Sequence, residues 1–336
     1  MKKIFYFILI SIFSLTVISC AKEDDDSSSD NSTSTSSSDN STSSSSSSGG
    51  VFVAVGSSGT LLTSPDGTTW TSRTSGTTNN LRSFAFDGSS IGVVVGYSGT
   101  ILTSTDGETW TSRTSGTSKN INNVAYGNSK FIAVGDNGTT LYSSDGITWT
   151  DWTSSCGAND NESLWDVAYG SSTWVAVGDN GSIYTSDESS CTKRTSGTTV
   201  EFNELIYGKS TFVAAGMSGT ILTSSNGTSW TSRTSGTTNH LYGGTYALNH
   251  EGSNEFVLVG ASGKIITSSD GTSWQTVSPS SVTTGNIFGI ARGSSTWVLA
   301  GASGYISSIS DSEDDLTTRT SGTTASLRRV FYVSGD

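Results

Sequence analysis

The sequence predicts an all-β fold, a seven-bladed β-propeller closed by pairing of its C-terminal strand with its N-terminal blade. Three observations carry this. One unit recurs seven times, marked by Gly56, Gly96, Gly135, Gly178, Gly216, Gly260 and Gly301 at intervals of 38 to 44 residues. Each copy alternates short apolar or Thr-rich runs with Gly, Asn or Asp turns, and such periods with several short strands point to four-stranded propeller blades. The first copy opens at Val51 directly in its second strand, while the last ten residues, "LRRVFYVSGD", supply a lone first strand. The two ends therefore complete one blade and shut the ring. Misreading one degenerate copy would give six or eight blades instead.

Composition agrees with this class. The 336 residues include 39 Gly but only 2 Pro, and 14% are charged. No long amphipathic run suggests helix. The formal charge is -12, and loss of Lys2 and Lys3 with a leader would leave 15 basic against 29 acidic residues. Such a surface repels a phosphate backbone, so no nucleic-acid partner is expected.

Residues 1–19 pair two lysines with the apolar run "IFYFILISIFSLTVI", the layout of a secretory signal. The run is shorter than the ~20 residues of a membrane span, which is the competing reading, and it stops at Cys20. The stretch "VISC" resembles the bacterial lipobox. That resemblance implies lipidation of Cys20 and a lipid-anchored cell-envelope protein. In a two-membrane bacterium, Ala21 and Lys22 carry no inner-membrane retention signal, so the outer membrane is expected, with the leaflet open. Residues 20–50 hold the lipidated Cys and a Ser/Asp-rich tether with no apolar side chain larger than alanine, unable to join a core. A flexible coil of this length reaches about 30 Å. It would hold the head, residues 51–336, off the lipid. The head is expected to be monomeric.

Within a blade, "NNVAYG" (122–127), "KFIAVG" (130–135), "TTLYSS" (139–144) and "ITWTDWT" (147–153) read as strands a to d. Strand b is apolar in every copy, as a strand covered on both faces by neighbouring blades must be. Strand d is polar and β-branched, which suits an outer edge.

Between strands c and d lies a recurrent turn, S-x-D-G-x-x-W, as in "SPDGTTW" (64–70) and "STDGETW" (104–110). Asp66, Asp106, Asp145 and Asp270 can accept backbone N–H bonds across it, the following Gly can take positive φ, and the Trp can plug the space between blades. Asn226 replaces Asp in one copy. The charge is thus dispensable, which favours a structural over a catalytic carboxylate. The turn resembles the Asp-box of BNR/sialidase-like propellers, one residue shorter than the usual S-x-D-x-G-x-T-W. The wider unit, "LRSFAFDGSSIGVVVGYSGTILTSTDGETW", is similar to repeats of photosystem II stability/assembly-factor-like propellers. The resemblance spans nearly all of residues 51–336 and implies the fold; a photosynthetic context is not visible in the chain.

Positions that agree among copies serve the scaffold, and positions that differ are free to specialise. The most divergent begin strand a: Arg82-Ser83, Asn122-Asn123, Trp165-Asp166, Asn203-Glu204, Tyr242-Gly243, Phe288-Gly289 and Arg328-Arg329. Innermost strands line a propeller's channel, and two d–a loops at that end are enlarged (154–163 and 277–287). Concave mouths with aromatics and a few polar groups are default ligand sites. Candidate ligand-binding residues are therefore Arg82, Asn122, Trp165, Asp166, Asn203, Glu204, Tyr242, Phe288, Arg328 and Arg329, holding an unidentified envelope protein or glycan. Drift at a solvated mouth is the alternative.

An enzyme finds less support. The resemblance to sialidases implies an arginine cluster, a Tyr–Glu nucleophile pair and an acid, for which Arg82, Arg328, Arg329, Glu204 and Tyr242 are the available residues, but their spacing matches no family motif. A polysaccharide-acting glycosidase or lyase in the funnel stays the alternative function. No cofactor or metal is expected. His240 and His250 lack zinc-site spacing, and Asp311, Glu313, Asp314 and Asp315, which could hold a calcium ion weakly, lack EF-hand spacing and read as a solvated turn in preference to a calcium site. Arg73, Arg113, Arg194, Arg233 and Arg319 share one position on strand d and could ring an anionic partner or pack over a neighbouring Trp. An oxidising envelope favours a Cys156–Cys191 bridge, whereas strand geometry places the two at opposite ends of strand d, roughly 15 Å apart, beyond disulfide reach.

Overall fold

The computed structural model describes residues 49–156, 162–188, 190–249, 252–278, 281–311 and 315–334. Cys20, the leader and the tether to residue 48 lie outside them, as do His250, Glu313, Asp314 and parts of both enlarged loops. Among the described residues no helix is long and apolar enough to cross a membrane.

Seven antiparallel four-stranded sheets make seven blades, each ordered a-b-c-d. Blade 1 combines the last strand of the chain with the first three: strand a is Leu327–Val333 and strand b Val51–Gly56. Val51 pairs Val333, Phe52 pairs Tyr332 and Ala54 pairs Val330. Blades 2 to 7 follow in sequence order, with inner strands Leu81–Phe86, Ile121–Gly127, Leu164–Gly170, Phe202–Gly208, Leu241–Leu248 and Ile287–Arg292. These a strands pack side by side from blade to blade, and that of blade 1 packs against those of both blade 7 and blade 2. The circle is closed.

Strand b is buried almost throughout, and the core lies between blades rather than within them. Phe52, Ala54 and Leu62 of blade 1 pack with Ala291, Val298 and Ala300 of blade 7. An aromatic triplet recurs: Tyr126 and Trp149 flank Phe131 at ring separations of 4.7 and 6.4 Å, and Tyr207 and Trp230 flank Phe212 likewise at 4.6 and 6.4 Å. Burying each Phe stabilises by about 2 kcal/mol. Strand d is shorter than predicted: in blade 3 it is Thr150–Asp151, because the c–d turn already occupies the chain through Trp149.

The marker glycines have a steric cause. At Gly135, whose backbone is extended, a Cβ would lie 2.0 Å from the Asn120 carbonyl oxygen. The next residue, Asp136, donates its N–H to that oxygen at 3.0 Å, and the same bond recurs from Ser57, Tyr97, Asp179, Met217, Ala261 and Ala302. Only glycine permits this close approach between the end of strand b and the residue before strand a.

The sequence leaves open whether Cys191 is bridged. Cys191 is disulfide-bonded. The short helix Thr153–Cys156 packs against the strand Cys191–Arg194, and Trp152 and Cys191 line one small cavity, so the chain after strand d of blade 3 folds back onto blade 4.

Candidate functional site

In all seven blades the first apolar residue of strand a pairs the marker glycine, and the register then slips by one. Leu81 faces Gly96 and Ser83 faces Val95, so Arg82 is the extra residue of a β-bulge. The same slip isolates Asn122, Trp165, Asn203, Tyr242, Phe288 and Arg328. Bulges re-aim side chains at the rims of β structures. Here they turn one variable residue per blade into the mouth of the channel, and the following residue returns to the ladder. The divergent pairs thus form two tiers: an upper ring of bulge residues and a lower ring of Ser83, Asn123, Asp166, Glu204, Gly243, Gly289 and Arg329.

The upper ring encloses a cavity of about 360 Å³, lined by Arg82, Asn122, Trp165, Asn203, Tyr242, Phe288, Arg328 and Arg329, with Glu201, Met217 and Asn286 beside them. The Arg82 guanidinium lies 5.5 Å from the ring centres of both Tyr97 and Trp165, and that of Arg328 lies 4.6 Å from Phe288, which is 5.4 Å from Tyr242. Neither guanidinium has an ion-pair or hydrogen-bond partner among the described residues. Burial pulls Arg82 below the usual arginine range; Tyr97 opposes this, and Arg328 and Arg329 add to it.

Polar neighbours fix the other members. Asn122 donates through Nδ2 to Asp136 at 2.8 Å and to the Leu164 carbonyl at 3.1 Å, which leaves its buried Oδ1 without a partner. Trp165 Nε1 donates to Asp179 at 2.6 Å, and Asn203 donates to the Leu241 carbonyl at 3.2 Å. Burial, with Asp179 adding, raises the Glu201 carboxyl. Burial raises the Tyr242 hydroxyl too, with Glu201 adding. Asp136 and Asp179 were missed in the sequence, although they fill the place after the marker glycine where other copies carry Ser57, Tyr97, Met217, Ala261 and Ala302.

Asp166 and Glu204 do not face the funnel. Arg329, from blade 1, donates to Glu204 of blade 5 and, at 3.3 Å, to Asp166 of blade 4. Blades 4 and 5 stand opposite blade 1 in a ring of seven, so this ion triad crosses the channel as a bar. Asp166 Oδ1 accepts from Val167 N and Oδ2 from Leu205 N, both at 2.8 Å. Below the bar lies a separate cavity of about 590 Å³ that shares only Arg329 with the funnel.

Solved propellers share this architecture. YCF48 bound to D1 peptide is 19% identical, with a TM-score of 0.56 over 71% of this chain and 80% of that one. YCF48 from Cyanidioschyzon merolae is 16% identical, at 0.52 over 74% and 84%. The WD40 propeller domain of Doa1 is 16% identical, at 0.56 over 80% and 88%. No protein-family model and no curated protein matches the chain. At these identities the likeness is one of fold.

Among the remaining candidates, the c–d turns have one repeated geometry. Asp66 Oδ1 accepts from Thr68 N at 2.7 Å and Thr69 N at 2.9 Å, Ser64 Oγ accepts from Gly67 N at 2.8 Å, and Trp70 Nε1 donates to the Gly67 carbonyl. Asp106, Asp145 and Asp270 accept the same pair of N–H groups, and Asn226 accepts them through Oδ1 at 2.9 and 3.1 Å. On strand d, Nε of Arg73, Arg113, Arg194, Arg233 and Arg319 donates to Thr63, Thr103, Thr185, Thr223 and Ser308 of its own blade. His240 Nδ1 accepts from Ser218 N, and Asp311 pairs Arg292. Among the described residues no three His, Cys, Asp or Glu gather as a metal site.

Proposed function

We propose that the protein is a non-catalytic binding module whose funnel holds an acidic segment of a partner protein. The observation that carries this is the pair Arg82 and Arg328: two guanidiniums at one cavity, each against an aromatic ring and neither with an ion-pair partner among the described residues. An arginine prepositioned on a ring and lacking a carboxylate suits an anionic group of a ligand. The buried Asn122 Oδ1 adds an acceptor for a peptide N–H beside it. That YCF48, a propeller of similar fold, is bound to D1 peptide in a solved structure supports the class of ligand. For a glycosidase, the acid must reach the substrate, yet Glu204 is tied to Arg329 on the side away from Arg82 and Tyr242.

In this reading Cys20 carries the lipid, residues 20–50 form the tether, and the propeller works in the cell envelope of a bacterium, at the outer membrane. Metabolic labelling with a fatty acid tests the anchor: label is incorporated by the natural chain and not by Cys20→Ser.

Anisotropy of a labelled hexaglutamate peptide tests the funnel. It binds the natural protein more tightly than a hexaglutamine peptide, and Arg82→Gln with Arg328→Gln weakens it tenfold or more, since each charged hydrogen bond contributes about 1.5–3 kcal/mol. Equal binding of both peptides, or no effect of the double substitution, contradicts the reading.

A further inference from the structure

The cavity below the Arg329 bar is enclosed by the inner strands of all seven blades and is separate from the funnel. Its upper end is the lower tier of the inner strands, where Asp166 and Glu204 are 4% and 3% exposed and Ser83 and Asn123 are 1% and 6% exposed. Two carboxylates there face one guanidinium, so the ionised cluster carries one unbalanced negative charge. Ser83 lines the cavity and its buried Oγ has no hydrogen-bond partner among the described residues, and the Asn123 side chain makes none either. Toward the a–b turns Tyr126, Tyr207, Tyr246 and Phe331 line the wall half-buried, their rings packed on Phe131, Phe212, Phe256 and Phe84 of the core.

Each of these features asks for the same complement. A buried carboxylate without a full counter-charge must take a proton or a cation. An unpartnered buried hydroxyl and amide are rare in folded proteins and mark a place where a polar group is expected. Aromatic walls attract cations and accept alkyl stems. An anion fits poorly, because it would meet two carboxylates. A fully apolar guest would leave Ser83 and Asn123 unpaired.

We propose that this cavity is a binding chamber for a primary ammonium group on an extended alkyl stem, with Glu204 and Asp166 as its counter-ions and Ser83 and Asn123 as its neutral hydrogen-bond partners. The group enters from the a–b turn face, opposite the funnel, and its stem lies along the tyrosines. Burial raises both carboxyls, most strongly Glu204, with Arg329 opposing. Both shifts favour the protonated carboxyl, so an ammonium entering here competes with a proton.

Calorimetric titration of the full-length protein with n-butylammonium, n-butanol and butyrate tests this. Butylammonium binds, butanol and butyrate bind at least tenfold more weakly, and the heat varies with buffer ionisation as a proton is released. Glu204→Gln lowers butylammonium affinity tenfold or more, whereas Glu108→Gln, which removes the same charge from an exposed pair with Arg73, changes it less than twofold. Ser83→Leu replaces the hydroxyl with a bulkier apolar group, leaves all three charges of the bar in place and lowers affinity tenfold, so the proposal stays testable if Glu204→Gln does not fold. A lysine-bearing peptide that binds with the same dependence on Ser83 assigns the chamber to a partner protein, and binding of the free amine alone assigns it to a small molecule. Equal binding of butanol and butylammonium, or indifference to Ser83→Leu, overturns the proposal.

Discussion

Arg329 donates to Glu204 from the opposite wall of the channel, joining residues 125 apart in the chain and three blades apart in the ring. The strand that closes the circle at one side therefore also braces the other. Tight inner strands accompany it: a Cβ on Gly289 would lie 2.9 Å from Arg329 Cα, and one on Gly243 would lie 2.2 Å from the Phe288 carbonyl oxygen. Blades 6, 7 and 1 crowd together at this level, while blades 2 and 3 present the small Ser83 and Asn123.

The carboxylates of this protein pull its pH dependence in two directions. Glu204 is held well above its ordinary 4.5, by burial first and Asp166 second, against Arg329. An acid whose folded value is raised binds more protons in the native state, so the stability linked to it falls as pH rises from 4.5 through the folded value. The turn aspartates do the reverse. Asp106 is lowered to about 2, chiefly by the Thr109 and Glu108 N–H groups, and Asp66 to about 2, where burial is outweighed by bonds from Thr68 and Thr69. Their contribution is complete above the unfolded value of 3.8 and is lost as pH falls toward 2. Urea unfolding across pH should show stability declining on both sides of a maximum near the ordinary carboxyl range. Glu204→Gln flattens the alkaline side, and Asp66→Asn with Asp106→Asn flattens the acid side.

Asn226 accepts the same two N–H groups as Asp106. Asp106→Asn should therefore cost under about 0.5 kcal/mol near neutral pH, whereas Asp106→Ala orphans both donors and costs about 1 kcal/mol. Chemical denaturation distinguishes the two; equal losses would mean that charge, rather than the acceptor, is what the turn requires.

Gly135→Ala tests the contact between strand b and the start of strand a. Its Cβ would meet the Asn120 oxygen at 2.0 Å with no flexible atom to yield, so about 3 kcal/mol is lost. Gly107→Ala is the comparison, since a Cβ there meets nothing within 4 Å and the cost comes only from its φ of 71°.

Much of this was legible because the chain contains its own alignment. Seven copies identify the scaffold, and the unmatched ends, Val51 and Leu327–Val333, reveal the closing blade. The divergent pairs at strand a led to the funnel residues. Their division into two tiers was not legible, because a bulge leaves no residue signature when the extra position is Arg, Asn, Trp, Tyr or Phe in turn. Nor was the bar. A repeat alignment treats Arg329, Glu204 and Asp166 as equivalent positions, whereas their meeting depends on blades 1, 4 and 5 lying across the ring from one another. Asp166 and Glu204 were consequently grouped with the funnel, and the structure turns them to the other cavity.

A double-mutant cycle on Arg329 and Glu204 tests the cross-channel bar most directly. Arg329→Met alone leaves two buried carboxylates unpaired and should cost about 3 kcal/mol at neutral pH, and Arg329→Met with Glu204→Gln should recover at least about 1 kcal/mol of that loss. Additive losses, with no coupling between the two positions, would contradict the bar and the division of the channel that it makes.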